Sequence, residues 1–588
     1  MNEFSALIKD HNLVDFVQNK SYEHNIFYAD DKYFLNGDFR FFAAKLEPLE
    51  LIRQLLEDPI KFLNHIDAEY SFCLFLKNDN KLFLARDKMG MRNIYYFIED
   101  DTIAISSNVF NLLAKKKHRK FSSNGVTQYL LFEFIKDPYT LFDDVWGVER
   151  GQLVEIDINK NIKAEKSLFR KRLYEIKEAN FSDENKISTQ LRNHITRAHE
   201  KRMSKNNCVL LSGGIDSTVM AIALKNDLND SNLHALTFDT IGAEQSEVEY
   251  AEFVAKKLNL DHQVVKVDPY KDIDLFNLVD RANFPYIGSI MLSTSMEKIG
   301  SHIPFNFFAG QDTRLHTPAL HELDIFYLKY LKSPALNKII QAISPLYKGL
   351  IGNNTKVKRK LYSRLNSLGD RKTYILENLF HYHPNSILLE GGNRCSENNF
   401  LALKNELNIP GTGLRTLYNS IVEMAWSWQY DDDIAYMSNN IEHYGFNSSM
   451  PFYDIELSEF AASLPMDLAL KRTKGMSGYG YKSKRVNKYL LRVAYQNDLP
   501  EEIIYRDKAV AVTNHIYLNT VMKSYISDLF QEPKIRTTQV YEELNLSRLI
   551  ELALKNNGNW KLEDYMSVVE IQNLLFIEII ARKYDITN

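Results

Sequence analysis

Cysteine is nearly absent: Cys73, Cys208 and Cys395 are spread over a chain of 588 residues. None stands at a metal-ligand spacing, and three isolated thiols do not make a disulfide framework, so neither device supports this fold. No window reaches the roughly 18 apolar residues of a membrane span, and the N-terminal MNEFSALIKD lacks an apolar leader core. These absences predict a cytoplasmic protein with no membrane partner. Charge of either sign is not in excess, with 72 Lys and Arg against 76 Asp and Glu, which argues against a dedicated nucleic-acid binder. There is no fixed-period repeat and no G-x-x-x-x-G-K-[ST] phosphate loop.

What is present divides the chain. A length of 588 residues needs at least two cores. YSFCLFL (70–76), KLFLAR (81–86), NIYYFI (93–98), TIAISS (102–107) and GQLVEIDI (151–158) are short, aromatic or β-branched, and separated by polar turns. They predict a layered antiparallel domain. KRLYEIKEANFSDENKI (171–187) is charged and poor in apolar residues, so the linker is placed there. The expected domains are 1–175 and 188–588. Beyond the linker the pattern becomes α/β: an amphipathic helix (ISTQLRNHITRAHEKRM), strand CVLL, a loop, helix TVMAIALKNDL, strand LHALTF, helix EVEYAEFVAKKLNL, strand HQVVKV. Such alternation with short connections predicts a parallel sheet. From about 320 onward the chain reads as mainly helical. Within it, 338–372 carries nine Lys and Arg and one acid, either a solvated face or a docking face for an acidic substrate or peptide.

The loop between the first strand and helix of that sheet is SGGIDS, Ser212 to Ser217. A strand that turns through Ser-Gly-Gly into a helix points backbone N–H groups and the positive end of the helix dipole at one spot, which favours an anion. Gly213 and Gly214 let the backbone approach a phosphate closely. Asp216 conflicts with a phosphate unless a cation lies between them, and Mg²⁺ is the expected bridge. Ser217 is a donor for a phosphate oxygen. A nucleotide pyrophosphate site is predicted.

SGGIDS resembles the pyrophosphate loop of the N-type ATP pyrophosphatases, and the chain around it resembles their asparagine synthetase branch, which includes β-lactam synthetases and lasso-peptide cyclases. The likeness covers most of the chain. LARDKMGMRNIYYF (84–97) and TLFDDVWGVERGQLVEID (140–157) resemble stretches of the branch's glutaminase-like domain. SEVEYAEFVAKKLNLDHQVVKV (246–267), FFAGQDTRLHTP (307–318), MPFYD (450–454) and KYLLRVAYQNDLPEEIIYRDK (488–508) resemble its synthetase segments. The resemblance implies an α/β protein: an N-terminal Ntn-hydrolase-like αββα sandwich, then an adenine-nucleotide α-hydrolase-like (HUP) parallel sheet with extra helices. It also implies a reaction, in which ATP adenylates a carboxylate, pyrophosphate leaves, and an amine displaces AMP to form an amide. Carried over by position, Ser212, Gly213, Gly214, Asp216 and Ser217 hold pyrophosphate and Mg²⁺, with Asp312 as second metal ligand and Gly310 beside the nucleotide. Leu236, Thr237 and Phe238 border the adenine. Lys508 neutralises negative charge developing in the transition states. Glu247 aligns with an acid at the pyrophosphate end, and equally fits a helix surface.

Two departures sharpen the reading. Glutamine-dependent members carry a cysteine directly after the initiator methionine; here residue 2 is Asn, and the nearest cysteine, Cys73, lies within a strand. The N-terminal domain is therefore expected to be a scaffold without glutaminase activity. Asn447 stands where many relatives carry a glutamate near the substrate amine; Glu442 either compensates as a catalytic residue or belongs to a helix face. The leading expectation is ring closure by an internal amine in natural-product or peptide maturation, on a small-molecule or peptide carboxylate such as a precursor peptide. Amidation with ammonia from a separate protein follows, then a catalytically inactive scaffold. Sulfur transfer or tRNA modification on the same loop needs a catalytic cysteine, for which Cys208 and Cys395 offer no convincing pair. His316, His443 and His515 are treated as ordinary.

Overall fold

The computed structural model describes residues 4–18, 24–159, 163–181, 183–242, 246–283, 285–299, 305–310, 414–426, 431–465, 470–472, 485–500, 514–561 and 565–587, with a few single positions between them. The basic segment 338–372 lies almost wholly outside them.

Two antiparallel sheets build the N-terminal part. One has the order β2 (Asn12–Val17), β1 (Ser5–Lys9), β8 (Thr102–Ser106), β7 (Tyr95–Glu99), β9 (Trp146–Gly147). The other has the order β11 (Lys163–Leu168), β10 (Gln152–Asp157), β6 (Lys81–Arg86), β5 (Ala68–Leu76), β4 (Tyr33–Phe41), β3 (Asn25–Ala29). Period-two alternation sets the layers. Along β5, Cys73 and Phe75 pack inward with Phe34, Leu84, Tyr96 and Ile105. Phe72 and Leu74 point outward onto α1 (Pro48–Glu57) and α2 (Pro59–His65) through Leu51, Leu55 and Leu63. On the far side α3 (Val109–Lys115) and α4 (Ser123–Phe132) cover Phe97 and Ala104. The layers run α, β, β, α, as the resemblance implied, and each expected strand is present with ends shifted by at most two residues.

The second part begins with α5 (Glu184–Glu200), whose N-cap Asp183 accepts from the amides of Asn185 and Lys186. A parallel sheet follows in the order β14 (Asp261–Val267), β13 (His234–Thr240), β12 (Asn207–Leu210), β15 (Asn306–Phe308), β16 (Asn447–Ser449). Its helices are α6 (Ile215–Ile222), α7 (Val248–Leu258), α8 (Leu275–Leu278), α9 (Ile287–Ile299), α10 (Leu414–Ala425), α11 (Asp431–His443), α12 (Ile455–Ser463) and α13 (Tyr489–Tyr495). The helix expected over TVMAIALKNDL differs from expectation. Its α-helical part ends at Ile222 and the chain continues as a π turn, Ala223–Asp227, closed by Leu228 N–H to the Ala223 carbonyl at 3.0 Å. One extra residue in a turn leaves the apolar run unbroken, so hydrophobic periodicity does not register it. No helix of the described residues is long and apolar enough to cross a membrane.

His199 shows how tightly α5 is seated under the sheet. Its ring lies parallel to Phe308 at 5.8 Å and edge-on to Phe452, and Nδ1–H donates to the Ile195 carbonyl at 2.7 Å. Burial lowers its pKa to about 3. The unfolded chain takes up this proton below about 6.5 while the native state refuses it, so this contribution to stability is intact above 6.5 and is lost as pH falls toward 3. His199→Phe, which keeps the stacking, is expected to flatten the wild-type fall in melting temperature between pH 7 and 4. Parallel thermal melts across that range measure the difference, and equal slopes for the two proteins refute the assignment.

Candidate nucleotide-binding site

The parallel sheet reverses its winding between β12 and β15. From β12 the chain moves outward through β13 and β14, then returns to place β15 and β16 on the other side. In open α/β sheets the crevice beyond the carboxyl ends of two such strands is where ligands bind. Ser212–Ser217 leaves β12 at that crevice, and Gly310 follows β15 into it.

The loop holds its own shape. Gly214 N–H donates to Ser212 Oγ at 3.2 Å, and Ser212 N–H donates to Ser217 Oγ at 3.1 Å. Ser217 Oγ in turn donates to the Gly214 carbonyl at 3.2 Å. The Ser217 hydroxyl, expected to serve a phosphate, thus braces the turn. Gly213 has φ +65, and a Cβ there would lie 2.6 Å from the Tyr250 carbonyl carbon and 2.8 Å from Ala251 N. Both the left-handed backbone and the close approach of α7 demand glycine. At Gly310 a Cβ would meet the flexible end of the Met220 side chain at 2.1 Å, which would have to swing aside. Of the segment expected to border adenine, Leu236 is buried with Cys208, Val265 and Leu292, and Phe238 packs partly against the same cluster. Thr237 faces the other way: its hydroxyl donates to the Leu211 carbonyl at 2.6 Å. That spends its only proton, so His262 Nε2–H is the donor in their 2.7 Å contact. Burial keeps His262 below its usual pKa. Thr237 therefore grips the backbone one residue ahead of the loop.

Asp216 is paired with a cation of the chain itself. Lys488, which caps the N-terminus of α13, places Nζ 2.5 Å from Asp216 Oδ2, with the two side chains 13% and 19% exposed. Lys488 adopts φ 55 and ψ 39, a left-handed conformation that a non-glycine residue holds only where its surroundings dictate it. Its motif, KYLLRVAYQNDLP, was visible in the sequence, but nothing in 272 residues of separation tied it to Asp216.

Other predicted residues lie elsewhere. Asp312, Lys508, Cys395 and His316 fall outside the described residues. Glu442, at 5% exposure, is engaged by Arg92 of the N-terminal layers and by Ser448 Oγ at 2.7 Å. Asp38 (3.5 Å) and Glu69 (3.9 Å) also face Arg92, and burial, reinforced by Glu442 and Glu69, pushes the Asp38 carboxyl up to about 7 against the pull of Arg92. Glu442 thus anchors the two parts of the chain to one another; among the described residues, no hydrogen bond or ion pair links it to the loop. His443 accepts from Arg281 Nη1 at 2.8 Å. Cys73 is fully buried, and burial pushes its thiol up to about 12. Burial likewise raises Cys208.

A parallel sheet with a glycine-rich turn at its switch point, a carboxylate at the helix start and a lysine against it defines a nucleotide-binding α/β protein. The comparisons narrow this class. The family described as asparagine synthase matches residues 190–290 and 375–575, and the glutamine amidotransferase domain matches 50–167. The chain belongs to the asparagine synthase family. It is 24% identical to the glutamine-hydrolysing asparagine synthetase 1 of Bacillus subtilis, over 79% of this chain and 70% of that protein. It is also 24% identical to an asparagine synthetase homologue of Methanocaldococcus jannaschii, over 40% of this chain, and spans only 45% of that relative's length. The NH3-dependent NAD synthetase of Campylobacter jejuni aligns at 17% identity over 42% of this chain and 96% of that one, with a TM-score of 0.19, too low to add to the topology above.

Gly213→Ala is expected to cost about 1–3 kcal/mol in urea unfolding. Gly242→Ala, at φ +87 with nothing within 4 Å, carries the backbone strain alone and serves as control. Equal losses at the two positions would show that the approach of α7 to the loop is unimportant.

Proposed function

We propose that this chain is an ATP-dependent, AMP-forming carbon–nitrogen ligase. A substrate carboxylate oxygen attacks the α-phosphorus of ATP, the bond to the β-phosphate oxygen breaks, and pyrophosphate leaves. An amine then attacks the activated carbonyl, AMP departs with the bonding pair, and the amine gives up one proton. The observation that carries this reading is the loop at the switch point with Lys488 against Asp216. The helix N-terminus at the loop and the ammonium beside it support a pyrophosphate held there.

Asp216 is the loop carboxylate that would hold a Mg²⁺ alongside the phosphates of a nucleotide. A metal held there would supply positive charge to offset that of the departing pyrophosphate, with Asp312 as the proposed second ligand. Lys488 is then available to a phosphate oxygen, and Lys508 is proposed to act on the reacting carboxyl.

The amine does not come from glutamine hydrolysed by this chain. The buried, proton-retaining Cys73 supports that view, since it is no thiolate nucleophile. An internal amine, closing a ring in peptide or natural-product maturation, is the preferred source; ammonia delivered by a separate protein is the second.

Purified protein with ATP, Mg²⁺ and a panel of amino-acid, sugar-acid and peptide carboxylates is expected to release AMP and pyrophosphate in equal amounts. Glutamine alone should yield no glutamate. Lys488→Met and Lys508→Ala should each lower the release rate at least 100-fold. ATP cleaved to ADP and phosphate would sink the proposal, and glutamate production would restore a glutaminase to the N-terminal domain.

A further inference from the structure

Arg192 on α5 is heavily engaged, and it lies away from the loop. Its Nε reaches both oxygens of Asp227 at 3.2 and 3.1 Å, and Nη2 reaches Asp227 Oδ1 at 2.6 Å. The other edge of the guanidinium meets Asp498, with Nη1 at 2.8 Å from Oδ2 and Nη2 at 3.2 Å from Oδ1. Nη1 also donates to the Ala494 carbonyl at 3.1 Å, and the guanidinium lies 4.6 Å from the centre of the Tyr495 ring. Every N–H bearing nitrogen is used, on two carboxylates that would otherwise repel each other across a partly buried gap.

The two partners are not arbitrary. Asp227 ends the π turn that prolongs α6, the helix opened by Asp216. Asp498 lies just beyond α13, the helix capped by Lys488. The extra residue of the π turn rotates position 227 by roughly 100° relative to an unbroken α-helix, which is what turns its carboxylate toward α5. Thr196 Oγ1, one turn further along α5, donates to Asp227 Oδ2 at 3.0 Å and holds that orientation. The two helical segments are therefore tied at both ends: Asp216 to Lys488 at the loop, and Asp227 to Asp498 through Arg192 at the far end.

We infer that Arg192 is a positioning residue, which sets the separation of the loop helix from α13 and thereby holds Lys488 in its left-handed conformation against Asp216. A helix transmits a displacement of one end to the other, so the far tie decides where the ammonium stands at the loop. This inference rests on the proposed function only for what the ammonium does once it is there.

The test compares Arg192→Met, Arg192→Lys, Lys488→Met and the Arg192→Met/Lys488→Met double variant in the full chain. The first readout needs no nucleotide: hydrogen–deuterium exchange at residues 212–217 and 488–491. Arg192→Met is expected to raise exchange there at least 10-fold, and Arg192→Lys by much less, while β4 and β5 of the N-terminal sandwich stay unchanged. The second readout is calorimetric affinity for Mg²⁺ with a non-hydrolysable ATP analogue. Arg192→Met should weaken it about 5- to 20-fold, and the double variant should be no weaker than Lys488→Met, because the arginine acts through the lysine. If Arg192→Met fails to fold, Asp498→Asn breaks the same tie more gently and is read in the same way. Unchanged exchange at the loop alongside a lower melting temperature would reduce Arg192 to a stability clamp and overturn the inference, as would additive losses in affinity. Wild-type protein that binds no nucleotide while the exchange pattern holds would instead overturn the proposed function and leave the positioning role standing.

Discussion

The ion pair between Asp216 and Lys488 is the contact on which the arrangement around the loop depends. Asp216 begins α6 at the point where the helix dipole and the turning backbone favour negative charge. Its own charge answers that preference, and Lys488 balances it from 272 residues away, at 2.5 Å, from a left-handed backbone conformation. The reversal of winding at β12 and β15 brings the loop and Gly310 to the same crevice. The ion pair then recruits α13 to its edge.

Around that point the glycines and hydroxyls do geometrical work. Gly213 admits α7 to within contact of the loop, and Gly310 admits Met220. Ser212 and Ser217 close the turn by hydrogen bonds between themselves and its backbone. Thr237 holds the Leu211 carbonyl, so the strand delivers the loop in a set orientation. These contacts fix the shape and orientation of the loop.

The junction with the N-terminal sandwich is built from buried charge. Arg40 donates to the Ser448 and Arg202 carbonyls at 2.7 and 2.9 Å. Arg202 meets Glu69 at 2.8 Å and Asp454 at 3.1 Å. Glu423 gathers Arg150 (2.9 Å), Arg170 and Arg172 (3.1 Å), and accepts from Leu173 N–H at 2.9 Å. Buried pairs of this kind contribute little net stability, but breaking one partner is costly. Asp38 records the expense in its raised pKa. Such a junction fixes one orientation of the two parts, and it accounts for Glu442 without a role at the loop.

Much of the fold was legible because it depends on local pattern. Alternation along YSFCLFL and KLFLAR, strand–helix alternation after residue 188, and the SGGIDS turn each follow from side-chain periodicity or from backbone conformations open to glycine. The sequence by itself therefore determined the two architectures and the position of the loop. The pairing of Lys488 with Asp216 was decided by the tertiary structure, as was the use of Thr237 and Ser217 to brace the loop. The placing of Glu442 among the charges of the junction and the π turn that aims Asp227 at Arg192 were decided there too. The ion pairs and the Thr237 grip join residues distant in the chain, whose meeting is set by strand order and helix packing, and periodicity carries no record of either. The π turn and the Ser217 brace are local, yet they change hydrogen-bond partners without altering the apolar pattern.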